Sequence, residues 1–356
     1  MSDGQKSQIF RVKGLTKGRI RRTLVPTLTA AIDRRLSAKE RRSLRFAIEI
    51  VPDCYDDERK VVALVEFIGG SPDFLSRLAD KPGNYELLRI GDCDVTIDRD
   101  FFQLTQLNHP TSKTSADIIA ITGLDGHAYG SWKGKQFGRM WLRDYLRKDF
   151  PNCRIMVYGY NTKLTVRSTA DLDDYSTELL NELERCRKPP RYTWKYQINP
   201  FTPIAGYEKP RAIIFIAHSF GGLVVARAMN LSANPPKLHT EWEKLYVSIY
   251  GVMFFGVPHK GLLTSDILKI LQHQQHARSH PRRKLLNQIE QGSKALIKQL
   301  DAFADVVQHR KIVSFHELLE TQSLEILLPE DGEETVELLW QSLRILLFCD
   351  FPMPKR

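Results

Sequence analysis

The stretch Ala217-His218-Ser219-Phe220-Gly221 carries the most chemistry in this chain. A serine with Ala two positions before it and Gly two positions after it has the G-x-S-x-G spacing of a sharp strand-to-helix turn, with Ala in place of the first Gly. Only small residues fit those two flanking positions. The context agrees. Ala212 to Ala217 is an almost unbroken apolar run, which fits a strand buried on both faces. Gly221, Gly222 and the apolar Leu223, Val224, Val225, Ala226, Ala228 and Met229 read as a helix packed on that strand. Such a turn holds Ser219 in strained backbone geometry, with its Oγ at a helix N-terminus. Backbone N–H groups there stabilise an oxyanion. The chemistry is that of a serine nucleophile. The competing reading is a serine in an ordinary tight turn of another α/β fold.

That turn needs a sheet to carry it. From Ala116 onward apolar runs alternate with amphipathic helices. Ile118 to Ile121, Arg154 to Tyr158, Tyr246 to Phe255 and Lys311 to Phe315 read as strands. Met140 to Phe150, Leu172 to Cys186 and a long span from Arg283 to Val307 read as helices. Strands separated by helices predict a mostly parallel sheet covered on both faces. Residues 188–210 interrupt the rhythm with prolines and aromatics, and read either as a self-packed surface loop or as part of a lid or acyl-binding wall. His273, His276 and His280 have no carboxylate or Cys companions at ligand spacing, so a solvated loop is preferred to a metal site.

The N-terminal part reads differently. Residues 9–15 alternate like a strand, Arg22 to Leu36 look helical with Pro26 near the start, and Leu44 to Val51 alternate again. Lys60 to Phe67 is another strand and Asp73 to Ala79 a short helix, with a last strand near 86–98. The order is that of a ferredoxin-like unit, and it resembles an RNA-recognition motif. RNA binding by that module needs exposed aromatics that stack on bases. The stacking positions here hold Arg11, Val62 and Leu64, so nucleic acid is not the expected partner. An Arg-rich presequence over residues 11–35 is a second reading. Residues 86–115 are polar and turn-rich and read as a linker.

The 356-residue chain is 42% apolar and 26% charged, as an ordinary globular protein is, and its five scattered cysteines form neither a CxxC pair nor a disulfide framework. No apolar run reaches the roughly 18 residues of a membrane span. The N-terminus lacks the apolar core of a secretory signal, so secretion is not expected. Residues 1–50 hold 13 Lys/Arg against 4 Asp/Glu, so most of the net charge of +10 sits there. This excess predicts either a solvated surface or contact with an anionic membrane surface.

Three motifs, in order, carry a resemblance to a known family. They are Ile121 to Trp132 followed by Trp141 to Leu146, then Arg154 to Tyr160, then Phe215 to Gly222 followed by Gly251 to Gly261. Together they resemble the lipase-like serine-esterase branch of the α/β-hydrolases. More narrowly they are similar to the "serine active site-containing" proteins of mitochondrion and endoplasmic reticulum, and to fungal hydrolase modules that precede NACHT-type signalling domains. The resemblance covers roughly residues 116–320. It implies that Ser219 attacks an acyl carbonyl and that the N–H groups of Phe220 and Leu124 form the oxyanion hole. Gly123 would shape the Thr122-Gly123-Leu124 turn, and Gly221 and Gly222 the elbow. It implies no metal and no organic cofactor, and an intracellular, membrane-associated location in one or both of those organelles, with a cytoplasmic location as the alternative.

The resemblance also implies an acid and then a histidine after the later strands. Glu317 is the better acid and Glu320 the weaker, each competing with a solvated carboxylate. Beyond His316 the sequence has no histidine. Three explanations stand: a hydrolase fold that has lost its base, a sequence with an altered C-terminal end, or a relocated base. His316 and His259 are the candidates for the last, although His259 also suits a structural role in its Pro-His-Lys-Gly turn, and His218 reads as structural. The expected organisation is a basic RRM-like α+β domain (1–85), a linker (86–115), an α/β-hydrolase domain (116–320) and a divergent C-terminal segment (321–356). The expected function is hydrolysis of carboxylic esters of lipid or acyl character. The alternative is a catalytically impaired hydrolase-fold interaction or signalling module.

Overall fold

The computed structural model describes residues 7–17, 23–56, 59–134, 138–164, 168–187, 211–262, 264 and 282–315. Stretch 188–210, His273, His276, His280, His316, Glu317, Glu320 and segment 321–356 lie outside the described residues.

Two sheets organise them. The first contains β1 (Ser7–Thr16), β2 (Arg45–Pro52), β3 (Lys60–Ile68), β4 (Tyr85–Ile90) and β5 (Cys93–Asp98) in the spatial order β2-β3-β1-β5-β4. Every neighbouring pair is antiparallel. Helices α1 (Leu24–Arg35) and α2 (Ala38–Ser43) join β1 to β2. Pro26 stands in the first turn of α1, where its missing N–H costs nothing. Alternation in β1 sends Phe10 and Val12 to one face, where they pack with Leu28 and Ile32 of α1. It sends Ile9 to the other face, where Ile9, Val62 and Leu64 pack with Tyr129, Trp132, Met140 and Leu142.

That second packing changes the reading of the N-terminal unit. Arg11, Val62 and Leu64, at the stacking positions of an RNA-recognition motif, are 2%, 5% and 1% exposed. The face is closed by the rest of the chain. Residues 11–35, also read as a presequence, lie largely within β1 and α1 and contribute core side chains.

Residues 86–115 are more than a connection. They supply most of β4, all of β5, and β6 (Gln103–Gln106), which closes one edge of the second sheet. The span after β6 is stitched down: Asn108 Nδ2 donates to the Cys153 carbonyl at 2.9 Å, and its Oδ1 accepts from the Ile155 N–H at 3.0 Å. Four residues are too short a strand to show a period, which is why composition reads this stretch as a linker.

The second sheet adds β7 (Ala116–Ile121), β8 (Cys153–Gly159), β9 (Ala212–His218), β10 (Ile249–Phe255) and β11 (Lys311–Phe315). Its order is β11-β10-β9-β7-β8-β6. All pairings are parallel except β6 with β8. A π-helical turn (Leu142–Leu146) runs into the short α3 (Arg147–Asp149), where a single helix was expected. Helices α4 (Leu172–Arg187), α5 (Phe220–Ala233), α6 (Glu241–Ser248), α7 (Arg283–Ile289) and α8 (Lys294–Val306) follow. The strand expected from Tyr246 begins only at Ile249, because α6 runs to Ser248. The long helix expected over 283–307 is two helices, broken where Gly292 takes φ +74° and Ser293 caps α8 through the Leu296 N–H. Among the described residues no helix is long and apolar enough to cross a membrane. Among them, too, no group of three His, Cys, Asp or Glu is placed to hold a metal ion.

Candidate active site

Ser219 joins β9 to α5 with φ +51° and ψ −128°, in the half of backbone space that side chains other than glycine rarely enter. Its N–H donates to the Phe255 carbonyl at 2.9 Å, which ties the turn to the end of β10. Its carbonyl accepts from the Gly222 N–H at 2.9 Å. Phe220 is the first residue of α5, so its N–H has no partner within the helix and is placed as an anion donor.

The small residues are there because backbone crowds the turn. A Cβ on Gly221 would meet the Thr122 carbonyl and stand 2.7 Å from the Ile121 carbonyl. Gly222 lies against the Val257 side chain. Gly123, just past β7, lies against the serine: a Cβ there would stand 2.9 Å from Ser219 Cβ and 3.2 Å from its Oγ. The turn Thr122-Gly123-Leu124 is thus brought directly onto the serine. These contacts, with the parallel strand order and the antiparallel edge, decide the architecture.

The fold is that of an α/β-hydrolase.

Two residues not anticipated from sequence brace the Gly123 turn. Tyr160 donates its hydroxyl to the Thr122 carbonyl at 2.7 Å. Thr162 donates its Oγ1 to the Gly123 carbonyl at 3.3 Å, and its own carbonyl accepts from the Asp125 N–H. Tyr160 and Tyr175 also contact the Phe220 ring, with centroids 6.4 and 5.9 Å away. The available signal was their place, just past the end of β8 and therefore level with the residues just past β7.

The histidines divide. His218 points into the interior, is 7% exposed, and burial pushes its pKa down to about 4. The His259 ring stands edge-on to Phe254 at 4.8 Å and stacks on Phe303 of α8 at 6.0 Å, and burial lowers its pKa as well. Among the described residues no hydrogen bond joins Ser219 Oγ to a histidine. Phe315 ends β11 beside Phe255, their rings stacked at 4.5 Å, and its carbonyl accepts from the Gly256 N–H at 3.0 Å. The chain therefore leaves β11 at the same sheet edge as Ser219.

Known proteins share part of this chain. Over 177 residues it is 25% identical to Protein SERAC1 of Danio rerio, a match covering 44% of this chain and 24% of the relative. With Protein SERAC1 of Homo sapiens the identity is 26% over 174 residues, 43% and 24% of the two chains. The chain spans about a quarter of the length of these curated relatives. The mature Bacillus licheniformis lipase BlEst2 overlaps it with a TM-score of 0.36 at 14% identity, over 59% of this chain and 70% of that one. A type II thioesterase, YbtT, gives 0.32 at 13% identity, over 60% and 90%. No protein-family model matches the chain. At such scores the architecture rests on strand order and elbow geometry.

Proposed function

We propose that the protein is a serine hydrolase acting on carboxylic esters, of lipid or acyl type, with Ser219 as nucleophile. The observation that carries this is the strained backbone of Ser219 with the Gly123 turn pressed against it. In this reading Ser219 Oγ attacks the acyl carbonyl, and the Phe220 and Leu124 N–H groups hold the oxyanion. Each such donor is worth about 3 kcal/mol of transition-state stabilisation. His316 is the preferred base, with Glu317 or Glu320 as acid, because His316 follows directly on Phe315. His259 is less suited, being held between Phe254 and Phe303. No metal or organic cofactor enters the reaction.

The test is labelling of the purified protein by a fluorophosphonate probe, with Ser219→Ala as control. Labelling that vanishes in Ser219→Ala is expected. No labelling of the folded wild type would overturn the reading and favour the rival, a catalytically silent interaction or signalling module. The burial of His218 and the ring contacts of His259 favour that rival.

An anionic membrane surface is the proposed partner of the basic N-terminal region, where Arg34, Arg35, Lys39, Arg41, Arg42 and Arg45 are exposed. Mitochondrion or endoplasmic reticulum is the proposed location. Sedimentation with anionic vesicles that weakens as salt rises would support the surface. Indifference to vesicle charge would remove it.

A further inference from the structure

A cleft of about 410 Å³ lies between the two sheets, outside the serine turn. Lys13, Phe102, Gln103, Tyr160, Tyr175 and Glu178 are among the residues that line it. Its position follows from strand register. Gln103 pairs with Gly159 at the end of β8, while Ile121 of β7 pairs with both Tyr158 and Ala217. Tyr160 and Ser219 each lie two residues beyond those partners, so cleft and serine share the carboxyl edge of the sheet. Ligands of open α/β sheets bind at that edge. Tyr160 and Tyr175 line the cleft and touch Phe220 behind it.

Two further observations mark the cleft as built. Phe101 and Gln103 take φ +57° and +70°, a backbone strain that persists only where surroundings over-determine it. Arg11 does that here: its guanidinium holds Asp98 through Nε at 2.9 Å and Nη2 at 3.1 Å, and its Nη1 donates to the Phe102 carbonyl at 2.9 Å. The second observation is charge. Asp98 is engaged by Arg11, which leaves Lys13 at 4.0 Å from it. Burial and then the Arg11 charge lower the Lys13 pKa, against the opposing pull of Asp98, Asp53 and Glu182. Across the cleft, burial and then Glu182 raise the Glu178 pKa, as for a carboxylate short of a cation.

We propose that this cleft binds a zwitterionic group, its anionic oxygens at Lys13 and its ammonium at Glu178 beside the rings of Tyr160 and Tyr175, and that it selects the substrates presented to Ser219. The last clause rests on the esterase reading; the binding site does not. The same chemistry comes either as a free small molecule or as a lipid headgroup.

The test uses the full chain and O-phosphoethanolamine as probe, titrated by calorimetry. Saturable binding is expected in the wild type and unchanged in Ser219→Ala. Lys13→Met and Glu178→Gln each weaken it about tenfold, the loss of one charge-assisted contact. Ser168→Trp, which fills the cleft and leaves both charges in place, abolishes it. Tighter binding of dihexanoyl-phosphatidylethanolamine assigns the site to a lipid headgroup, and equal affinity assigns it to a free molecule; both support the proposal. Absence of saturable binding at millimolar probe overturns it, as does wild-type affinity in both charge variants. Binding without fluorophosphonate labelling keeps the site and removes only its link to Ser219.

Discussion

The six-stranded sheet is covered on one face by its own helices, with Phe215, Phe254 and Val252 packed against Leu223, Val224 and Phe303. The five-stranded sheet has a helix of its own on only one face. Its other face rests on the aromatic layer of Tyr129 and Trp132, which follows β7 of the six-stranded sheet. The rim of that contact is charged: Glu66 pairs with Lys133 at 2.7 Å and with Arg143 at 3.4 Å, and Glu49 with Arg147 at 2.6 Å. One sheet has helices of its own on one face and the shared aromatic layer on the other, and presents a strained serine. The other is half a sandwich and presents a buried arginine. A sheet of the second kind gains stability from a neighbour, and the sequence pattern of its own strands does not name that neighbour.

Four measurements break or sharpen this contrast. The largest effect is expected from Arg11→Leu, which removes the bidentate partner of buried Asp98 and leaves it only Lys13 at 4.0 Å. Chemical denaturation is expected to show a loss of about 3–5 kcal/mol, with both sheets unfolding together. Two separated transitions in the wild type would show that the sheets do not share their stability. Next comes acid. Unfolded His218 takes up a proton below pH about 6.5, whereas buried His218 does so only near 4. Between those values the unfolded state binds more protons, so stability falls as pH falls, by about 3 kcal/mol over the window. His218→Gln flattens that slope, and an unchanged slope would place the acid response elsewhere, His259 being the next source.

Gly221→Ala tests the crowding at the elbow. Because carbonyl oxygens of β7 block the added methyl, a cost of about 1–3 kcal/mol and loss of fluorophosphonate labelling are expected. A neutral substitution would mean that the two strand ends can part. The smallest effect is expected at the rim, where Glu66→Gln lowers stability by about 1 kcal/mol or less and weakens with added salt.

Much of this was legible in sequence because its cause is local. The run from Ala212 to Ala217 is buried as expected except at Ala212 and Ile214, which are half-buried, and the small residues around Ser219 fit because backbone stands where side chains would go. The strands of the first sheet show in their alternation. What escaped has non-local causes. β6 is four residues held by β8, and the break before α8 depends on Gly292 and on Leu262 bridging to Glu290. Tyr160 and Thr162 matter through carbonyls some 38 and 39 residues earlier in the chain. Arg11 stands in sequence only as a residue at a stacking position, and it is buried because Asp98, Thr105 and the Phe102 carbonyl converge on it from 87 to 94 residues away.

That arginine bears on modularity. A gene fragment starting at Ala116 looks like a self-sufficient cassette, yet it discards β6 and bares Tyr129 and Trp132. Recombination that grafted a foreign N-terminal half onto this serine half would have to recreate the guanidinium, its carboxylate and the strained turn together. The shuffling unit is therefore the pair of sheets, and an expression boundary drawn between them invites aggregation.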